Sequence, residues 1–169
     1  MPSLFHVSDA APLAVMRPRP SPPGTPHEGR PLVWAVDEEH LVNYLLPREC
    51  PRVTWAARDR TSPLLGSPAR RVVAIEHGWV PRLRDAGLSV HRLDPAGFGV
   101  LDAGAGYWVS EREAAVTDVR PVDDCFAAVA EAGAELRVTP SLWPYVDAVR
   151  EGAGEFSAIR MRNAVPRQP

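Results

Sequence analysis

The run Leu4-Phe5-His6-Val7-Ser8 alternates, and an extended strand there sets His6 and Ser8 on one side with Phe5 and Val7 on the other. Trp34 falls on a second expected strand, and Tyr44 on the helix expected after it. An imidazole, a hydroxyl and two aromatic planes around one cleft would suit a flat ring held by stacking and a ribose held by hydrogen bonds. The plainer alternative is a hydrogen-bonded strand histidine and two core aromatics. Phosphates on such a ligand would be met by arginine. Arg17 and Arg19 lie in the loop after His6, and Arg160 and Arg162 share a face of the expected last strand. A solvated face and a charge-protected edge would account for the same arginines.

Other chemistries are easier to weigh. Asp37-Glu38-Glu39-His40 and Glu76-His77 raise a metal-dependent hydrolase built on His40, Glu76, His77 or His91. Neither cluster is HExxH, and no two histidines stand at i, i+4. Asp37 as a helix cap, with Glu38 and Glu39 in the first turn, explains the first cluster, so no metal site is assigned. Asp102–Gly106, DAGAG, resembles a GxG phosphate loop, but the strand-like Tyr107-Trp108-Val109 follows it where a helix would be needed. A bulge or a close backbone approach is expected there instead. GxSxG is absent, and Cys50 and Cys125 read as inert packing thiols.

Composition sets the outer limits. All 19 Lys+Arg residues are Arg, which excludes a lysine nucleophile, a Schiff base and a P-loop lysine. A net charge of −2 argues against a general nucleic-acid surface. No run approaches the ~18 apolar residues of a membrane helix, and MPSLFHVSDA lacks the basic and apolar regions of a signal peptide. A bacterial cytoplasm is the expected address. The 169 residues suit one domain with its own core.

The positioning elements follow from periodicity. Strands are expected at 4–8, 32–36, 52–57, 72–75, 88–93, 98–102, 106–110, 115–120, 135–138 and 156–162. Helices are expected at 38–46, capped by Asp37; at 79–86, stopped by Gly87; from Pro121 to Gly133; and after Ser141. Residues 17–31, RPRPSPPGTPHEGRP, form a Pro-rich loop that cannot join a helix or an inner strand. The loop resembles a PxxP ligand; with the tryptophans it motivates an alternative reading as a non-catalytic interaction module. Without regular βαβ alternation the class is α+β: one domain over 1–169, with a split or strongly bent mixed or antiparallel sheet and flanking helices. The oligomeric state is left open.

LFHVS, VWAVDEEHLVNYLLPRECPRVT, VVAIEHGW, GYWVS, RPVDD, LRVTPSLWP and EFSAIRMRNA together resemble a small bacterial family of unknown function, over almost the whole chain. A more distant resemblance is to ADP-ribosyltransferase-like proteins. LFHVS is similar to their first motif, and Trp34 with Tyr44 to their second. GYWVS is similar to their third, but Gly106 stands where that motif carries a Glu. The resemblance implies an ADP-ribosyltransferase-like fold and NAD or a related nucleotide as ligand. It also implies a transfer step weakened by the missing carboxylate, which would stabilise an oxocarbenium-like state. Glu111 and Glu113 lie downstream, with Glu111 on the opposite strand parity. Arginine-based phosphate handling, as in related RNA 2′-phosphotransferases, is the other chemistry it implies.

Overall fold

The computed structural model describes residues 2–25, 27–58 and 62–168. Pro26 of the Pro-rich segment and residues 59–61 of the polar loop after the third expected strand lie outside the described residues. In chain order the strands are β1 (Leu4–Ser8), β2 (Val15–Met16), β3 (Arg19–Pro20), β4 (Pro31–Asp37), β5 (Arg52–Ala56), β6 (Arg71–Glu76), β7 (Leu88–Leu93), β8 (Gly99–Asp102), β9 (Tyr107–Ser110), β10 (Ala114–Val122), β11 (Glu135–Thr139) and β12 (Phe156–Ile159). The helices are α1 (Val80–Arg84), α2 (Cys125–Glu131) and α3 (Trp143–Glu151). The class is α+β, as expected. None of the described helices is long and apolar enough to cross a membrane.

The chain packs as two compact units, Met1–Leu41 with Leu88–Val122, and Val42–Gly87 with Asp123–Pro169. The first unit holds a sheet ordered β2-β10-β7-β1-β4-β9-β8, with β3 added to β4. Only Arg17 and Pro18 separate β2 from β3. Strand pairing therefore runs from β10 through β7, β1 and β4 and returns along Val15–Pro20, so the sheet curls back on itself. Leu4, Met16, Val33, Ala35, Leu93 and Ala114 are the core of this unit.

The second unit holds the sheet β11-β6-β5-β12, with β6 parallel to β11 and antiparallel to β5. Every residue of β6 is buried, as its continuous apolar run predicts for a central strand. Val53, Trp55, Val72 and Ala74 pack on one face against Leu142, Tyr145, Val146 and Val149 of the α3 region. The short helices α1 and α2 touch each other and bury Leu83, Cys125 and Val129.

Several expectations are corrected. Residues 38–46 form a turn and one 3-10 turn, Leu41–Tyr44, instead of a helix. Leu41, Val42, Asn43, Leu45 and Leu46 are all buried, so no solvent-facing stripe exists to support an amphipathic helix. The helix expected from Pro121 starts at Cys125, because Asp124 caps it by accepting from the N–H groups of Phe126 and Ala127 at 2.9 and 3.0 Å. Pro121 and Val122 end β10 instead; β2 pairs only with Ala114 and Ala115, so this half of β10 is an edge that tolerates proline. The last strand stops at Ile159, since Arg160 turns the chain with a left-handed φ of 54°. Part of the Pro-rich segment is strand: β3 pairs Arg19 with Leu32 and Pro20 with Pro31. The flanking bond from Ser21 N–H to Arg30 O, 2.9 Å, places Pro20 and Pro31 at the pair that exchanges no ladder bond, so their missing N–H groups cost nothing there.

Candidate functional site

The register of β1 decides which candidate residues meet. His6 stands opposite His91 of β7, Ser8 opposite Ser89, Leu4 opposite Leu93 and Asp37, and Phe5 opposite Val36. Side chains of directly opposed residues share a face. His6 and Ser8 therefore share a face with Ala35 and Val33, while Trp34 projects from the other face with Phe5 and Val36. The structure brings His6 and Ser8 together and separates both from the Trp34 side chain. The Trp34 indole N–H donates to Ser21 Oγ at 3.0 Å, and its ring meets Tyr107 edge-on at 5.8 Å. Tyr44 belongs to the other unit, where the Arg52 guanidinium lies 5.6 Å from its ring centroid. The cleft expected from His6, Ser8, Trp34 and Tyr44 is thus not assembled as a set, because strand parity sends His6 and Trp34 to opposite sides.

What His6 does reach is the backbone of Trp34. The β1–β4 ladder ends at Phe5 and Val36, and β3 takes up β4 only at Leu32. Between them the wall has a notch containing the Trp34 carbonyl. The His6 Nδ1–H donates to that oxygen at 2.9 Å. Carbonyls only accept, so the bond fixes both the ring and its proton at Nδ1. His91, fully buried, stands beside it with ring centroids 6.5 Å apart. Its Nε2 accepts from Leu13 N–H at 3.1 Å and its Nδ1–H donates to the His6 carbonyl at 3.3 Å. Ser8 Oγ accepts from Ala10 N–H at 3.0 Å. Arg17 and Arg19 lie on Val15–Pro20, which borders the notch, but Arg19 stands opposite Leu32 and so projects from the Trp34 face, and Arg17 follows the inward-facing Met16 with its side chain in solvent. Arg17 meets Glu113 only at 4.0 Å between two well-exposed side chains, a pairing that water and salt largely screen.

Gly106 has a structural reason to be glycine. Its φ is +68°, and an added Cβ would lie 2.2 Å from Nδ1 and 2.8 Å from Cβ of His40. Asp37 N–H donates to Gly106 O at 3.0 Å, while Asp37 Oδ1 accepts from His40 N–H at 3.0 Å and from Nδ1–H at 2.6 Å. The close backbone approach expected for DAGAG is therefore real. Beside it the half-buried Asp37 carboxylate holds the buried His40 imidazole, a pair whose signals in the sequence are the Asp37/His40 spacing and a glycine at the head of β9. No carboxylate occupies the place where the ADP-ribosyltransferase motif carries its Glu. Glu111 is paired with Arg30 instead.

The remaining candidates have other occupations. Arg160 and Arg162, past the end of β12, converge on Glu49 at 3.5 and 2.6 Å. The Asn163 side-chain hydrogen bond, then the two guanidinium groups, hold the Glu49 carboxyl below its ordinary range against a partial desolvation cost. Three of the four hydrolase candidates, His40, Glu76 and His91, are engaged elsewhere. Glu76 accepts from the N–H groups of Leu142 and Val165 at 3.2 and 2.9 Å, and His91 is committed as above. Among the described residues no three His, Cys, Asp or Glu side chains are grouped to hold a metal ion. The interaction reading loses its motive too, since none of the five tryptophans is exposed and part of the PxxP-like segment is paired in a hairpin.

Both cysteines are buried, as expected for packing thiols. Burial pushes the Cys50 thiol from 9.0 up to about 12. We expect no reaction with a thiol reagent at pH 8 in the native protein and two thiols after denaturation, measured by absorbance. The native state keeps its proton above pH 9 where the unfolded chain loses it. Stability should therefore fall as pH rises, by roughly 1.4 kcal/mol per pH unit between the two values. Denaturant midpoints should show this slope in the wild type and a flatter one in Cys50→Ala.

One curled sheet and one mixed sheet flanked by helices define an α+β protein whose distinctive feature is a histidine-bridged notch. The chain belongs to the family of unknown function DUF6886, whose profile matches residues 5–164. No curated protein and no solved structure matches it.

Proposed function

We propose that this protein binds a small phosphorylated ligand of nucleotide type at the His6 notch and does not transfer ADP-ribose. The observation that carries the reading is the His6 imidazole, held in one orientation by the Trp34 carbonyl where the β1–β4 ladder breaks. Ser8 shares its face, while Arg17 and Arg19 lie on the bordering strap but on the Trp34 face, so their long side chains would have to reach round its edge to meet a phosphate. In a chain without lysine, arginine is the long cation available for an anion. Gly106 supports the absence of transfer, because the motif's carboxylate is missing and the space is taken by His40.

Calorimetry with NAD, ADP-ribose and 2′-phosphorylated ribonucleotides tests the proposal. At least one should bind with Kd below millimolar, and His6→Ala should weaken it by at least about tenfold, a loss of ~1.4 kcal/mol. A melting curve of His6→Ala, which leaves the Trp34 carbonyl without its side-chain donor, separates lost binding from lost folding. No binding of any of them at millimolar concentration, or the same affinity in folded His6→Ala, overturns the reading.

A further inference from the structure

We infer that Val15–Pro20 is a gate on the His6 notch. Two contrasts support it. The strap is held by two pairs to β10 and two pairs to β4, whereas β1 and β7 are zipped by five consecutive pairs. Short ladders open locally at a fraction of the global unfolding cost. Its inward attachments are few: Met16 in the core, Ala14 O accepting from Val116 N–H at 3.0 Å, and Leu13 N–H on His91 Nε2. The second contrast is in stiffness. Pro18 and Pro20 keep the strap extended, so it moves as a unit. On one side lies the exposed stretch Asp9–Pro12; on the other the buried Ser21, bonded to Arg30 and to the Trp34 indole, pins the end of the strap as its pivot. The strap forms the wall of the notch opposite β1, so its movement widens or narrows the space beside His6.

What the gate admits rests on the proposed ligand reading; that it moves does not. The test is a reversible lock, Val15→Cys with Ala115→Cys. These residues are directly opposite and both exposed. The adjacent bond from Val116 N–H to Ala14 O places them at the closer, non-hydrogen-bonded kind of pair, whose spacing suits a disulfide. The native thiols are buried and stay reduced. Hydrogen exchange is followed without ligand in the wild type and in the reduced and oxidised variant. In the wild type and the reduced variant, the Leu13 and Met16 amides should exchange at least about tenfold faster than those of His6 and Val90, and oxidation should remove most of that difference. Exchange at the rate of the β1 and β7 amides in the wild type, or no effect of the disulfide, overturns the gate. Association of ADP-ribose should also be slower in the oxidised form, and equal rates would count against the gate even with binding intact. A gate seen by exchange in a protein that binds none of the nucleotides would leave this inference standing and remove the ligand reading.

Discussion

Gly106→Ala should destabilise the protein by about 3–4 kcal/mol, the sum of a left-handed φ imposed on a residue with a Cβ and an overpacked contact. The site offers no cheap relief. The atoms met by the new Cβ are Nδ1, Cγ and Cβ of His40, the root of a buried side chain. Relief requires moving the imidazole off Asp37 or moving the head of β9, whose Gly106 carbonyl bonds Asp37 N–H. In a chain of this size the loss should appear as a fall in Tm of roughly 6–16 °C. The double variant Gly106→Ala/His40→Ala should lose less than the sum of the two single variants, because His40→Ala removes the clash. A Tm within two degrees of wild type for Gly106→Ala would refute the contact. Gly106→Glu, which restores the residue type of the ADP-ribosyltransferase motif, should behave no better and should not cleave NAD.

Val73→Asp should cost at least about 4 kcal/mol and abolish a cooperative melt. Val73 is fully buried in β6, opposite Thr54 of β5 and Leu136 of β11. The Thr54 hydroxyl has no hydrogen-bond partner and would be one donor for the new carboxylate. A single hydroxyl does not replace the hydration of an ion. Val138→Asp is the control: Val138 lies in β11 of the same sheet but is 45% exposed, so its effect should stay within about 0.5 kcal/mol. Equal melting curves for the two variants would remove β6 from the centre of the sheet.

Elements were legible wherever a run had one meaning. Val72–Ile75 is apolar on both parities and became the strand buried on both faces. Leu4–Ser8 alternates and became β1 with His6 and Ser8 on one side. Elements with two readings went astray. The apolar residues of 38–46 fit a helix by spacing, yet burial on all sides made the segment a turn. Pro121 can open a helix or end an edge strand, and the pairing of Val122 with Leu88 chose the strand.

The site divides along the same line. By itself the sequence determined residue supply and local parity. It excluded lysine chemistry, left arginine as the long cation, put His6 with Ser8, and marked DAGAG as a place where backbone comes close. Tertiary structure decided who faces whom. It set Trp34 on the opposite face from His6, placed Tyr44 in the other unit, tied Arg160 and Arg162 to Glu49, and pressed His40 against Gly106. The start of the Pro-rich segment also changed meaning, from a loop to part of a strap that completes the curled sheet. The physical reason is that parity is local, fixed by the two-residue repeat of an extended chain, whereas register is set by pairing with strands distant in sequence. A shift of one residue between β1 and β4 would have put His6 and Trp34 on the same side, and nothing within either segment records that choice.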